Sequence, residues 1–261
     1  MTALLRAEGV CKAYGGVQAL DNCSIEVQPG TIAGLIGPNG SGKTTLFNMI
    51  TGYGRVDSGD VYHQGQKITN LRPDKVFALG IGRTFQLTRV FSRLTVMENM
   101  IVAAHHKERS GAHGDPVSRN PLARAGGPAT RKRALELLEF TGIAKLAQDR
   151  AETLSYGQRK LLELSYVLIA DPDIILLDEP AGGVNPTLIG TIADRIRDLN
   201  KQGTTFLIVE HNMEFVMGLC DQVTVLNFGK TVVTGPPGTV RNDPRVLDAY
   251  LGSAEDDDDA A

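Results

Sequence analysis

The chain has 261 residues, 42% hydrophobic and 22% charged, close to ordinary globular proportions, so a sizeable buried core is expected. Its formal charge is −3, and five negative charges lie in EDDDD (255–259), so the body is near neutral and no nucleic-acid partner is expected. No apolar run has the length of a membrane span, and MTALLRAEG has no signal-peptide core. Cys11, Cys23 and Cys220 are odd in number and widely spaced, which predicts buried, reduced thiols in a cytosolic protein.

Residues 4–10 and 23–29 read as strands, the second ended by Pro29-Gly30. Between them Tyr14 precedes Gly15-Gly16. Its ring can pack on a sheet edge or stack on a nucleotide base, a contact worth about 1–3 kcal/mol on nucleic-acid bases, and both readings stand. Next comes TIAGLI (31–36), an apolar strand, then GPNGSGKTT (37–45), then TTLFNMI (44–50), a helix stopped by Gly52.

The nine-residue stretch fits G-x-x-x-x-G-K-[ST], with Gly37, Gly42, Lys43 and Thr44 in the fixed places. Successive backbone N–H groups in such a loop make a concavity for anions, and glycine lets the chain curl that tightly. Lys43 offers a compact positive charge to the β- and γ-phosphates, and the Thr44 hydroxyl can ligate Mg²⁺. A strand feeding a glycine loop at a helix N-terminus is the arrangement that phosphate binding requires.

SGDVYHQGQKI (58–68) reads as a hairpin around Gly65, with His63 on the surface. GIGRTF is a short apolar strand closed by Gln86, which taken alone is a polar strand-end residue. Residues 105–130 hold glycines and prolines with few apolar side chains and read as a long exposed loop or a short insertion. His105, His106 and His113 lack the cysteines or carboxylates of a metal site and read as solvated, as does the basic run Arg131-Lys132-Arg133. RKRALELLEFTG is a helix with Leu135, Leu138 and Phe140 inward and Gly142 as its stop.

In LSYGQRKLLELSYVLIADP (154–172), Ser155 reads as the N-cap of an apolar-striped helix. DIILLDEP (173–180) is a continuous apolar strand ending in Asp178 and Glu179. Burial on both faces explains the apolar run, but two acids at its end must be paired, ligate a metal or do chemistry. Downstream of a phosphate loop, Asp178 suits Mg²⁺ and Glu179 suits a water attacking the γ-phosphate. A helix over 188–200 leads to the strand TTFLIV (204–209) and to Glu210-His211. A lone histidine is most often structural, but His211 shares its strand-end position with Asp178 and Gln86, where open parallel sheets bind ligands. QVTVLNFGKTVVT (222–234) is a late β-pair turning at Gly229-Lys230. Asp243-Pro244 starts a helix stopped by Gly252, and the acidic tail beyond is expected to be disordered.

Taken together these motifs resemble the ATPase subunit of ABC transporters, over nearly the whole chain. Residues 37–44 match Walker A, Gln86 the Q-loop, LSYGQ (154–158) the signature, IILLDE (174–179) Walker B with its glutamate, AGGVN (181–185) the D-loop and His211 the switch histidine. The resemblance implies an α/β fold, a P-loop NTPase (RecA-like) core with an N-terminal antiparallel β subdomain and an inserted α-helical subdomain. Residues 1–86 and 168–252 would form the core, 87–167 the helical subdomain and 253–261 the disordered tail. It further implies that ATP is held by Tyr14, Gly37, Pro38, Asn39, Gly40, Ser41, Gly42, Lys43, Thr44 and Thr45, and by Ser155, Gly157 and Gln158 reaching in from a second ATPase subunit. Mg²⁺ would take Thr44, Gln86 and Asp178, and catalysis would rest on Glu179, His211 and Gln86. Two departures stand out: Tyr156 replaces the first glycine of the usual LSGGQ, and Asn185 the usual D-loop aspartate.

A finer resemblance, carried by GIGRTFQLTRVFSRLTVMENMIVAAHH, EPAGGVNP, VEHNM and RNDPRVLDAYLG, is to the ATPases of branched-chain amino-acid importers, the longer of the two. It implies a peripheral subunit on the cytoplasmic membrane face, bound to transmembrane permease subunits. Related urea or lipopolysaccharide transporters are the alternative. A soluble ABC ATPase acting on nucleic acid or ribosome is a rival that lacks its usual second ATPase unit here. A non-catalytic scaffold is another, opposed by the intact Glu179, His211 and Ser155.

Overall fold

The structure is a computed structural model that describes residues 2–84, 90–110 and 126–255, with side chains except at 105–110 and 251–255. Its centre is a six-stranded sheet that runs β10 (Lys230–Gly235), β9 (Gln222–Asn227), β3 (Ile32–Ile36), β8 (Thr205–Val209), β7 (Ile174–Asp178), β6 (Ile81–Arg83), parallel except for β10. The three middle strands, β3 (Ile32–Ile36), β8 (Thr205–Val209) and β7 (Ile174–Asp178), are buried at every position. Their β-branched and leucine runs suit a strand covered on both faces.

Period two then divides each strand between two cores. Ile175, Leu177, Phe206 and Ile208 face one apolar cluster, while Ile174, Leu176, Leu207 and Val209 face the other. The first cluster gathers α3 (Val96–Ser110), α4 (Pro128–Thr141), α5 (Tyr156–Leu168), α6 (Pro186–Lys201) and α7 (Met213–Leu219). The second is closed by α1 (Lys43–Ile50) and by an antiparallel sheet of order β2-β1-β4-β5. The mixed α/β cassette with an antiparallel β subdomain and helical parts is therefore as expected.

β1 (Leu5–Tyr14) and β2 (Val17–Val27) reach further than the sequence reading allowed, because residues 11–14 and 17–22 pair up to a tight turn at Gly15-Gly16, with Tyr14 opposite Val17. β4 (Ser58–His63) and β5 (Gln66–Lys67) form the expected hairpin. His63, however, is buried rather than on the surface: alternation on β4 sends Val61 and His63 to the same inner face. Its Nε2 lies 3.5 Å from the Asp173 carboxylate.

On α4 the inward stripe is Ala134, Leu137, Leu138 and Thr141, and Leu135 is exposed. Leucines two positions apart lie about 200° apart around a helix, so Leu135 and Leu137 cannot share a face. Gly142 ends the helix in the left-handed conformation, as expected. Of the long exposed loop expected over 105–130, residues 105–110 continue α3 and 128–130 open α4; 111–125 lie outside the described residues. α2 (Pro73–Ala78), β6 (Ile81–Arg83), β9 (Gln222–Asn227), β10 (Lys230–Gly235) and α8 (Pro237–Arg241) complete the chain up to α9. α9 (Pro244–Glu255) runs through Gly252 instead of stopping there. The tail beyond 255 lies outside the described residues.

Candidate functional site

The parallel strands deliver their carboxyl ends to one rim of the sheet. β3 delivers the loop 37–42, β7 ends in Asp178 and is followed by Glu179, and β8 is followed by Glu210 and His211. In the loop, Gly37, Gly40 and Gly42 have φ of 152°, 75° and 102°. A side chain at Gly37 would collide with the Leu226 carbonyl oxygen and lie 2.6 Å from Ser41 Oγ, so glycine is required there. The turn between β9 and β10 supports the loop from below. Gly229 N–H donates to the Ser41 carbonyl at 3.0 Å, and Asp21 N–H donates to the Gly229 carbonyl at 3.0 Å.

α1 begins at Lys43 with Gly42 as its N-cap, no side-chain cap and no acidic residue in its first turn. Its leading N–H groups and the positive end of its dipole are therefore left for an external anion. Lys43 Nζ lies over the loop and donates to the Gly37 and Pro38 carbonyls, both at 2.8 Å. Burial lowers the Lys43 pKa, while the charges of Glu179 and Asp178 act to raise it. Asn39, Gly40 and Thr44 are exposed, Pro38 and Thr45 half-buried and Ser41 buried.

Asp178 is buried, and its Oδ2 accepts from Arg83 Nη2 at 3.0 Å. The same guanidinium donates from Nη1 to Asn48 Oδ1 and Thr51 Oγ1, both at 2.8 Å, and stands near the Phe47 and Tyr53 rings. Arg83 thus ties α1 to the end of β7. Glu179 has a positive φ of 50°, and its N–H donates to the Val209 carbonyl at 2.9 Å. His211 Nδ1 lies 3.9 Å from a Glu179 carboxylate oxygen. Glu210, fully buried, accepts from the N–H groups of Ala181, His211 and Asn212 at 2.7, 3.1 and 3.2 Å and so fixes the chain on both sides of the rim.

Tyr14 is exposed beside the β1–β2 turn, with the Lys12 ammonium 5.2 Å from its ring centroid. Ser155 and Gln158 form a reciprocal capping box at the start of α5, as the sequence predicts for Ser155. No hydrogen bond among the described residues joins Ser155, Gly157 or Gln158 to the phosphate loop. Gly157 instead packs against Leu188 of the same chain. Asn185 caps α6 by accepting from Leu188 N–H at 2.9 Å. Gln86 and His113 fall outside the described residues, as do the side chains of His105 and His106.

Three residues of this rim escaped the sequence reading: Arg83, Glu210 and Lys160. Each is a charge next to an apolar run, and once buried it needs a partner that the linear order does not name.

A family described as ABC transporter matches residues 20–182, and one described as branched-chain amino acid ATP-binding cassette transporter matches residues 230–256. The chain is 37% identical, over 96% of its own length and 98% of the relative's, to the high-affinity branched-chain amino acid transport ATP-binding protein LivG of Escherichia coli K12. It belongs to the ABC transporter ATP-binding family.

A probable LivG of Archaeoglobus fulgidus is 35% identical over 97% of this chain and 96% of its own. A solved nucleotide-free ATP-binding cassette from an ABC transporter superposes with a TM-score of 0.83 at 34% identity, covering 95% of this chain and 99% of that one. A dimeric cassette in a post-hydrolysis state bound to ADP and Pi superposes with a TM-score of 0.77 at 25% identity, covering 89% and 98%. As an ABC cassette, the chain is an ATP hydrolase that uses ATP with Mg²⁺. Its own residues fit that ligand: the glycine cradle, the uncapped helix start, the Lys43 ammonium and two acids stand on one rim. Among the described residues no helix is long and apolar enough to cross a membrane.

Proposed function

We propose that this chain is the ATP-hydrolysing subunit of an importer for branched-chain amino acids, held at the cytoplasmic face of the membrane by permease subunits and paired with a second ABC ATPase subunit. The carrying observation is the gathering of Lys43, Asp178, Glu179 and His211 at the carboxyl ends of β3, β7 and β8. The substrate assignment draws on the match of residues 230–256 and on the names of the relatives.

In this reading Gly37, Pro38, Asn39, Gly40, Ser41, Gly42, Lys43, Thr44 and Thr45 surround the phosphates, and Tyr14 stacks on the adenine. Thr44, Asp178 and Gln86 would hold Mg²⁺, which when bound would supply charge neutralisation at the phosphates. Glu179 orients a water and takes its proton as the oxygen attacks the γ-phosphorus and the bond to the β-phosphate oxygen breaks. His211 and Gln86 contact the γ-phosphate, and Ser155, Gly157 and Gln158 reach the nucleotide held by the other subunit. That a related solved cassette is dimeric in its post-hydrolysis state supports a site that two chains complete.

The division into a core (1–86 and 168–252) and a helical subdomain (87–167) gives the permease its dock. A cavity of about 360 Å³ opens between them, lined among others by Tyr53, Phe77, Arg83, Ala103 and Tyr166. Its aromatic wall suits an apolar helix end from a permease.

The test is Glu179→Gln. It is expected to retain ATP binding and to reduce turnover by at least about a hundredfold, the contribution of a positioned base. Near-normal hydrolysis removes Glu179 from that role. For the partner, co-purification with a membrane protein and ATP-dependent leucine uptake into vesicles holding the complex are expected; co-purification with RNA or DNA instead refutes the reading.

A further inference from the structure

Glu179 is a non-glycine residue with φ of 50°, in the left-handed region that such residues rarely adopt unless their surroundings hold them. What holds it is visible. Its N–H donates to the Val209 carbonyl, and its own carbonyl oxygen accepts from Gly182 N–H at 3.1 Å and from Lys160 Nζ at 2.9 Å. The Val209 carbonyl and the Gly182 N–H come from positions next to Glu179 in the sheet and in sequence. The ammonium comes from elsewhere, the second turn of α5, the helix that opens with the signature residues.

Lys160 is only 8% exposed, which is unusual for lysine and demands a reason. Its ammonium stands 5.6 Å from the centroid of the Tyr156 ring, one turn earlier on the same helix. Tyr156 in turn lies against Gly183: a Cβ there would be 3.2 Å from the ring. The ring that replaces the first glycine of LSGGQ therefore covers the ammonium on one side and meets the D-loop on the other. A buried ammonium over an aromatic face, aimed at one carbonyl, is a fixed point for that carbonyl.

We infer that Lys160 is a positioning residue for Glu179, holding its backbone in the left-handed conformation that aims the carboxylate, and that Tyr156 holds Lys160 in place. The inference rests on Glu179 acting as the base. It makes the start of α5 serve two ends: its exposed tip for the partner subunit, its buried second turn for the base of its own chain.

The experiment is a double-mutant cycle on the full-length chain, read by single-turnover ATP hydrolysis and by fluorescent-nucleotide binding. Lys160→Met keeps the stem and removes the donor. It is expected to lower the hydrolysis rate about a hundredfold, the usual effect of a displacement near 1 Å at a reacting group, with nucleotide affinity unchanged within about threefold. Lys160→Arg, which keeps a donor, recovers most of the rate. In the Glu179→Gln background Lys160→Met adds no further loss, because there is no base left to misplace. If the methionine variant does not fold, Lys160→Leu, which also lacks a donor, runs the same cycle.

Hydrolysis by Lys160→Met at the wild-type rate overturns the inference, as do losses that multiply across the cycle or a fall in nucleotide affinity equal to the fall in rate. Normal hydrolysis by Glu179→Gln alone is a separate outcome, which fails the base assignment and with it the ground of the inference.

Discussion

Replacing Arg83 by methionine tests how the rim is held together. The guanidinium and the Asp178 carboxylate are 3.0 Å apart, with side chains only 6% and 4% exposed. The small values measured for surface ion pairs therefore do not apply. Removing one member of a buried pair leaves a charge without its counterion and costs about 3–5 kcal/mol. Asn48 and Thr51 lose their shared donor in the same step. In a chain of this size each kcal/mol shifts the melting midpoint by about 2–4 °C, so the expected fall is roughly 6–20 °C. Urea unfolding at unchanged slope supplies a second measure. The added change Asp178→Asn removes the stranded charge and is expected to return more than half of the loss, although it removes a proposed metal ligand. An Arg83→Met variant melting within about 2 °C of the parent, below what one kcal/mol produces, refutes the reasoning. So does a double variant less stable than the single one.

Gly37→Ala should push the phosphate loop off the Leu226 carbonyl and weaken nucleotide binding about fivefold or more, since strain of this kind costs about 1–3 kcal/mol; fluorescent-nucleotide titration with parental affinity would contradict it. The ammonium form of Lys43 is the one that binds phosphate, so affinity falls as pH rises through its lowered pKa. Glu179 acts to raise that pKa, so Glu179→Gln should move the alkaline limb of a binding titration to lower pH; an unmoved or upward limb counts against the coupling. Burial pushes the Cys23 and Cys220 thiols up to about 11 and about 12, so at pH 8 both are protonated and shielded. Cys11, half-buried, is the thiol expected to react with a colorimetric disulfide reagent before unfolding; simultaneous reaction of all three would be wrong for this packing.

Local signals carried much of the fold. The phosphate loop, the apolar strands β3, β7 and β8, the late hairpin and the Ser155 cap are each written within about ten consecutive residues. Such features depend on backbone sterics and periodicity, which a linear reading reaches directly. The misreadings have one physical source, which is that burial is decided by distant neighbours. His63 looked like a surface residue because a histidine near a turn is polar, yet alternation from Val61 turns it inward toward Asp173. Leu135 reads as core from the sequence because leucine is apolar, while the helix phase is set by Ala134, Leu137 and Leu138. Arg83 and Asp178 are far apart in sequence, and so are Lys160 and Glu179. Only the assembled sheet brings the members of each pair together.

The hydrogen bond from Gly229 to Ser41, with Leu226 pressed on Gly37, has a bearing on how the protein is made. The loop sequence leaves the ribosome early, but the turn that moulds it is among the last parts of the fold to be synthesised. A nascent chain ending before β9 owns the glycines and the lysine without the shape that makes them a cradle. The shape of the loop after β3 therefore depends on residues made nearly two hundred positions later, not on its own glycines alone.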